Sequence, residues 1–301
     1  RITGRPKVIM PDTVHPHWRQ VAQTYTQHMG IEIVSMSFSG NGAIDAGKLI
    51  QAMGNDTAAV VVQSPNFFGC LEDMAPIGQA AHAAGALLIG AVAEPVSLGL
   101  LKGPGAHGAD IAVAEGMAFG GSLSFGGPGL GMFAVGKDHA RRMPGRLVGK
   151  TKDTRGREGY TLTLATREQH IRREKATSNI CSNQALMATS AAIHISLLGA
   201  EGLQTLAERN LAAAHYLAGR LTAIPGVKLA FDRPFFNEFA VTLPVKASRV
   251  VDALSSSGFL PGLEIGRFYP GLKDTLLFCA TEVHTSQEMD MVAQIVAREV
   301  K

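Results

Sequence analysis

Cysteine is scarce: Cys70, Cys181 and Cys279 are the only three in 301 residues, widely spaced and without a CxxC pair. An odd total at such spacing supports neither a disulfide framework nor a zinc ribbon, and it points to a reducing, cytoplasmic compartment. Charge is also low. Asp, Glu, Lys and Arg make up 18% of the chain while hydrophobic residues reach 46%, which excludes a disordered or coiled-coil chain and leads us to expect surface buried against a partner. HExxH, GxSxG and GxxxxGK[ST] are all missing, so metalloprotease, serine-hydrolase and P-loop chemistry have no motif to rest on. His15 and His17 stand two apart across Pro16 without a third ligand and are read as turn and helix-start packing.

Glycine, by contrast, is abundant, with 34 residues, and Pro adds 14, too many for a helical bundle and without the triplet period of collagen. Short apolar runs alternate with helix-period segments in the first half, the pattern of a mostly parallel sheet flanked by helices. Strands are expected at Lys7 to Met10, Ile31 to Met36, Ala58 to Gln63, Ala86 to Val92, Asp110 to Ala114 and Met132 to Val135, the last two buried, with helices at His15 to Met29 and Ala43 to Met53. Met74 to Ala93 carries no formal charge over twenty residues, yet Pro76, Gln79, His82 and three glycines divide it into a helix and a buried strand rather than a membrane span. The loop Ser64 to Gly69 follows a strand, where open α/β sheets place their ligands. Two apolar helices, Asn183 to Leu198 and Leu203 to Ile224, lead into a smaller α+β unit with strands at Val227 to Phe231, Phe239 to Leu243 and Leu276 to Thr281 and helices at Ala247 to Ser256 and Ser286 to Val300. We expect a large α/β domain over 1–200, containing a basic loop and connecting helix, and a small α+β domain over 201–301.

The formal net charge is +3, but Arg141 to Lys175 holds eleven Lys or Arg against four acids, so that stretch carries +7 and the remainder −4. Tyr160 is its only aromatic residue, which argues against a nucleic-acid surface built on stacking. The spacing of Arg146-Leu147-Val148-Gly149-Lys150-Thr151 is not that of a phosphate-binding P-loop. Cys181 is read as a packed thiol at a helix start that Thr177, Ser178 and Asn179 are able to cap.

Several runs carry a resemblance. Glu115-Gly116-Met117-Ala118-Phe119-Gly120, Leu123-Ser124-Phe125-Gly126-Gly127-Pro128, Arg142-Met143-Pro144-Gly145-Arg146-Leu147-Val148-Gly149 and the sixteen residues from Thr166 to Cys181 closely resemble the P-protein of the glycine cleavage system, in particular the amino-terminal-half subunit of organisms that split that protein in two. The resemblance implies the pyridoxal-phosphate-dependent transferase fold (aspartate aminotransferase fold, type I). It also implies a role in glycine dehydrogenase (decarboxylating), an oxidoreductase, as one subunit of a heterotetramer. Its partners would be a homologous subunit that binds pyridoxal phosphate through a lysine, glycine as substrate, and the lipoyl-carrying H-protein, with no nucleic acid and no membrane. Family members carry a further segment before the equivalent of Arg1, so a fragment or incomplete gene product is expected.

Placed on the catalytic half of that family, the Schiff-base lysine position is Met117 and the ring-nitrogen aspartate position is about Ala91. Lys102 and Lys137 do not fall just before the glycine-rich loop. The resemblance therefore implies a subunit without catalytic residues or covalent cofactor. Asn66, Ser124, Gly126, Gly127, Arg146, Arg172, Thr177 and Asn179 are the candidates to line the active site or the interface. An autonomous pyridoxal-phosphate enzyme of aminotransferase or desulfurase type, or a docking scaffold for H-protein, are the competing readings.

Overall fold

The computed structural model of the chain describes residues 2–176 and 184–301. Its first sheet is built from β1 (Lys7–Ile9), β2 (Glu32–Val34), β3 (Thr57–Gln63), β4 (Leu87–Val92), β5 (Ile111–Glu115) and β6 (Gly131–Val135), in the order β2-β1-β3-β4-β5-β6. All neighbours run parallel except β5 and β6. The reason β3 reads as an unbroken apolar run is visible in its neighbours. Val60 and Val62 point to one face, packed with Leu49 of α2 (Ala46–Ala52) and Ile77 of α3 (Met74–Ala83), and Val61 points to the other, with Trp18 of α1 (Pro16–Thr26). A strand covered on both faces has no polar side to show.

The second sheet, β11-β12-β10-β9, is antiparallel and comprises β9 (Lys228–Leu229), β10 (Glu238–Thr242), β11 (Leu263–Glu264) and β12 (Thr275–Cys279). Here the period of two is explicit. Phe239, Val241, Leu276 and Phe278 face a core shared with the second part of α5 (Ala185–Thr222), with α6 (Ala247–Ser256) and with α7 (Ser286–Val300). Ala240 and Leu277 face the opposite way, onto Phe67, Phe68 and Tyr269. The loop after β3 thus forms the floor on which the second sheet sits. α7 starts where the sequence signals it: Thr285 Oγ1 accepts the Glu288 amide at 3.2 Å and the Glu288 carboxylate accepts the Thr285 amide at 2.8 Å, a closed capping box.

Four expectations change. Met132–Val135 belongs to a strand, but an exposed one at the edge of the sheet, with no strand on its outer side among the described residues. The two apolar helices form one run, Ala185–Thr222, broken at Gly199, whose φ of +61° ends the helical path; Gly202 is helical. By length and composition that run is apolar enough to cross a membrane, yet beyond the break Ala207, Ala214, Leu217 and Leu221 are buried against the protein. The expected strand Val227 to Phe231 shrinks to two residues. The basic stretch contains an antiparallel hairpin, β7 (Leu147–Lys152) and β8 (Glu158–Thr163), and a short helix α4 (Gln169–Arg172).

Candidate functional site

Ala91 lies in β4 between Gln63 of β3 and Val113 of β5, and it is 1% exposed. Around it are Met10, Val14 and Val61, with Trp18 and Val113 packed against the same cluster. The resemblance places the ring-nitrogen acid of the catalytic half at about this position. The chain offers an apolar seal instead, in which an unpaired charge is costly.

Met117 is half-buried in the turn after β5. Its amide donates to Glu115 Oε1 at 3.0 Å and its carbonyl accepts from the Gly121 amide at 2.9 Å. Nothing in that turn is able to form an imine. At the two positions that the resemblance assigns to the cofactor's lysine and acid, the side chains present, Met117 and Ala91, carry neither an amine nor a carboxyl.

Glu115 has a different task, which the sequence concealed. Its Oε1 accepts both Met117 N–H and, at 2.7 Å, Leu130 N–H, while the Gly116 amide reaches the Leu130 carbonyl at 2.6 Å. One carboxylate oxygen thus ties together the two ends of the glycine-rich loop. Between those ends Ser124, Phe125 and Gly126 all take positive φ, 34°, 55° and 96°, and the Ser122 and Ser124 hydroxyls stand 2.6 Å apart. A cavity of about 620 Å³ opens beside it, rimmed by Trp18, Glu115, Gly129 and Phe133. Replacing Glu115 with alanine should cost about 1–3 kcal/mol through two orphaned amides. It should also speed hydrogen exchange at Leu130 well beyond any change at the β3 amides; equal exchange at Leu130 in both proteins would disprove the tether.

Asn66 is buried and its side-chain amide is spent on neighbouring segments of the chain. Nδ2 donates to the Gly42 carbonyl at 2.9 Å and to Glu72 Oε1 at 2.7 Å, and Oδ1 accepts from Phe68 and Cys70. Glu72 also accepts the Ile44 amide, and burial pushes its carboxyl up from the ordinary range. This is a network that holds the aromatic floor rather than one that reaches a ligand. Gly127 has open space around it, its nearest neighbour to a hypothetical Cβ being the Gly129 amide at 3.8 Å, and Gly126 has none within 4 Å.

The Arg146 guanidinium, 75% exposed, is 3.9 Å from Glu168, and exposed Arg172 donates to the Thr166 carbonyl at 3.2 Å. Arg167 instead holds the Met143 and Gly145 carbonyls, fixing the turn before β7. Thr177 and Asn179, like Cys181, lie outside the described residues. Among the described candidates, no hydrogen bond or ion pair joins Asn66, Ser124, Arg146 and Arg172 to one another.

A second cluster had no signal in the sequence. Glu94 follows β4, and its Oε2 accepts from Asn237 Nδ2 at 3.3 Å while its Oε1 accepts the Val96 amide. Asn237 immediately precedes Glu238 of β10, whose carboxyl is pushed up to about 7 by burial and by the nearby Glu94 charge. Although residue Cys279 is exposed, desolvation of its thiol and the charges of Glu238, Glu94 and Glu282 push it up to about 12.

Residues 2–296 match the family model described as glycine cleavage system P-protein. The chain belongs to that family. Among P-proteins and their subunits, it is 52% identical over 288 residues to a probable glycine dehydrogenase (decarboxylating) subunit 1 of Desulfitobacterium hafniense, covering 96% of this chain. It is 50% identical over 297 residues to the protein of the same description from Rhodospirillum rubrum. In both cases the chain spans 64% of the relative's length. The crystal structure of a glycine decarboxylase (P-protein) of the glycine cleavage system, in inhibitor-bound form, superposes with a TM-score of 0.91 at 40% identity, over 99% of this chain and 67% of that one. A sphingosine-1-phosphate lyase from Burkholderia pseudomallei, at TM-score 0.68 and 18% identity, and a NifS-like protein, at 0.68 and 14%, share the fold. The architecture of this P-protein family member is thus the type I fold of pyridoxal-phosphate-dependent enzymes.

Proposed function

We propose that this chain is a non-catalytic subunit of the glycine decarboxylase of the glycine cleavage system. In this reading it pairs in the cytoplasm with a homologous, lysine-bearing subunit that holds the pyridoxal phosphate, and the assembly takes glycine and the lipoyl-carrying H-protein as its other partners, without nucleic acid or membrane. The observation that carries the reading is the apolar seal around Ala91 together with a methionine at position 117. The cofactor, where it is bound, supplies the electron sink for loss of the glycine carboxylate. This chain's own residues supply a rigid sheet and a loop, tied by Glu115, that presents Leu123 and Phe125 outward at 74% and 111% exposure. Large apolar side chains at a loop tip are the signature of a surface that is covered in the assembly.

Borohydride reduction in the presence of pyridoxal phosphate tests the division of labour. Mixed with the lysine-bearing subunit, only the latter should acquire a reduced, cofactor-labelled peptide, and the isolated chain should acquire none in a stoichiometric amount. Stoichiometric label on Lys102, Lys137 or any other lysine of this chain would favour the autonomous pyridoxal-phosphate enzyme and remove the subunit reading.

A further inference from the structure

Helix α1 begins on an uncommon cap. Pro16 at its first position has no amide to satisfy, so the first donor left over at this helix start is the His17 N–H. It donates to Nδ1 of His15 at 3.2 Å, while the His15 carbonyl accepts the Arg19 amide at 3.1 Å and opens the helical ladder. Ser, Thr, Asn and Asp are the side chains that usually fill this place, and their oxygens still accept in mildly acidic solution. A ring nitrogen accepts only while it is unprotonated. The lone pair that holds this helix start is therefore one that a proton removes.

The same few residues join α1 to the rest of the molecule. The His15 amide donates to Gln63 Oε1 at 2.8 Å, and its ring meets Phe67 edge-on at 5.0 Å, with His17 at 5.3 Å and Trp18 at 6.0 Å. One turn on, Arg19 pairs with Asp12 at 2.7 Å and donates from Nη2 to the Tyr269 hydroxyl at 3.1 Å, and that hydroxyl donates to the Asp12 carbonyl at 2.5 Å. His17 packs edge-on against Phe268 at 5.7 Å, and Arg267 lines one cavity with Pro16 and Arg19. The titratable and charged groups around the cap are thus His17 and Arg19 on α1, Asp12 on the loop before it, and Arg267 and Tyr269 between β11 and β12, whereas the loop after β3 contributes the uncharged Phe67. Asp12 is the one acid among them, and Arg19 already occupies it. A proton on His15 would enter half-buried surroundings, beside cations and at the positive end of a helix. Burial first, then His17 and Arg19, hold the His15 imidazole below its ordinary value of 6.5.

We infer that His15 is a proton-operated latch: neutral, it caps α1 and seats the helix start against Phe67 and the Phe268 to Tyr269 segment; protonated, it loses the cap acceptor, adds a cation beside Arg19 and releases that helix start. The sign follows from the depressed value. A base that resists its proton in the fold gains it more readily in the released or unfolded chain, so the latch is fully closed above about 6.5 and weakens as pH falls below it. Trp18, the only tryptophan in the chain, stands beside the ring and reports the event.

The test follows the intact chain from pH 7.5 to pH 5 by Trp18 fluorescence, by histidine NMR, and by amide protection with the intrinsic exchange rate divided out. In wild type the His17 and Arg19 amides should lose about fivefold in protection over that range, the scale of a lost N-cap, while the β3 amides hold. The Trp18 signal should change over the same interval, and NMR should show Nδ1 of His15 as the unprotonated nitrogen at pH 7.5. H15N, whose side-chain oxygen stands in for the ring acceptor, should keep the Arg19 protection within twofold between the two pH values, whatever its absolute level. H17Q keeps the cap and removes one like charge, so its transition should move to higher pH. Wild-type protection that is constant across the range, an H15N chain that loses protection as wild type does, or a proton on Nδ1 at pH 7.5 each overturns the latch. Equal loss at β3 and α1 would mark global unfolding and overturn it as well.

Discussion

Gly69→Ala should abolish the soluble fold or cost more than about 4 kcal/mol, while Gly127→Ala should be nearly silent. The difference does not come from glycine content, which is high everywhere in this chain. Gly69 has a φ of +84°, and a Cβ there would lie 1.9 Å from the Glu238 carbonyl oxygen and 2.4 Å from its carbon. Neither is the end of a flexible side chain: both belong to the backbone where β10 begins, directly beside the isolated bridge between Cys70 and Phe235. The left-handed conformation alone costs an alanine about 1–2 kcal/mol, and the overlap forces the two sheets apart at the point where Phe67 and Phe68 are packed beneath the second one. Gly127 lacks a positive φ and has room for a methyl group. Thermal unfolding of the two variants against wild type is the measurement. A Gly69→Ala protein that melts within 3 °C of wild type would show that the aromatic floor yields more easily than its packing implies.

The same loop shows what the sequence made legible. The strand before it was plain, because β3 is apolar on both faces and β-branched at its centre, and the position of the loop at the carboxyl end of that strand followed. Its role did not follow. Asn66 looked like a ligand-binding polar group in an apolar setting, but its partners, Gly42 and Glu72, come from other segments of the chain, and no local pattern announces such a meeting. The strands over Phe239 to Leu243 and Leu276 to Thr281 and the helix over Ser286 to Val300 were readable because each depends on residues within one element. The β7–β8 hairpin was not, because its exposed face mixes Val148 and Leu162 with Lys150 and Lys152, so neither a hydrophobic period nor a polar one stands out. Glu115 was quoted within a family motif, yet its function as a tether depends on an amide fifteen residues downstream. Met117 and Ala91 were reached only through the resemblance; the structure adds that Ala91 lies in an apolar cluster with Met10, Val14 and Val61.

Glu238→Gln should stabilise the protein at pH 8 and do almost nothing near pH 4.5. In the folded chain the Glu238 carboxyl is pushed up to about 7 from an ordinary value of 4.5, first by burial and then by Glu94. Glu94 is itself raised, by burial and by Glu282. The Cys279 thiol on the paired strand and the Asn237 amide are the other groups that face them. A carboxyl with a raised folded-state value holds its proton in the fold after the unfolded chain has released it. Stability is therefore unaffected by this group below about pH 4.5, falls as pH rises from there, and reaches its full penalty above about 7. A difference of that size corresponds to at most about 3 kcal/mol, and partial exposure of the carboxyl brings the expected gain for the glutamine variant at pH 8 to about 1–3 kcal/mol. Urea unfolding at pH 4.5, 6 and 8 should give curves for variant and wild type that coincide at the first and separate progressively at the others. Because Glu94 follows β4 and Glu238 opens β10, the repulsion acts across the junction between the two sheets, so the protection of the amides at the Cys70 and Phe235 bridge, with the intrinsic base-catalysed rate divided out, should fall between pH 6 and 8 in wild type and hold constant in the variant. A constant offset at all three pH values would trace the effect to packing of the amide and exclude the ionisation of Glu238 as its cause.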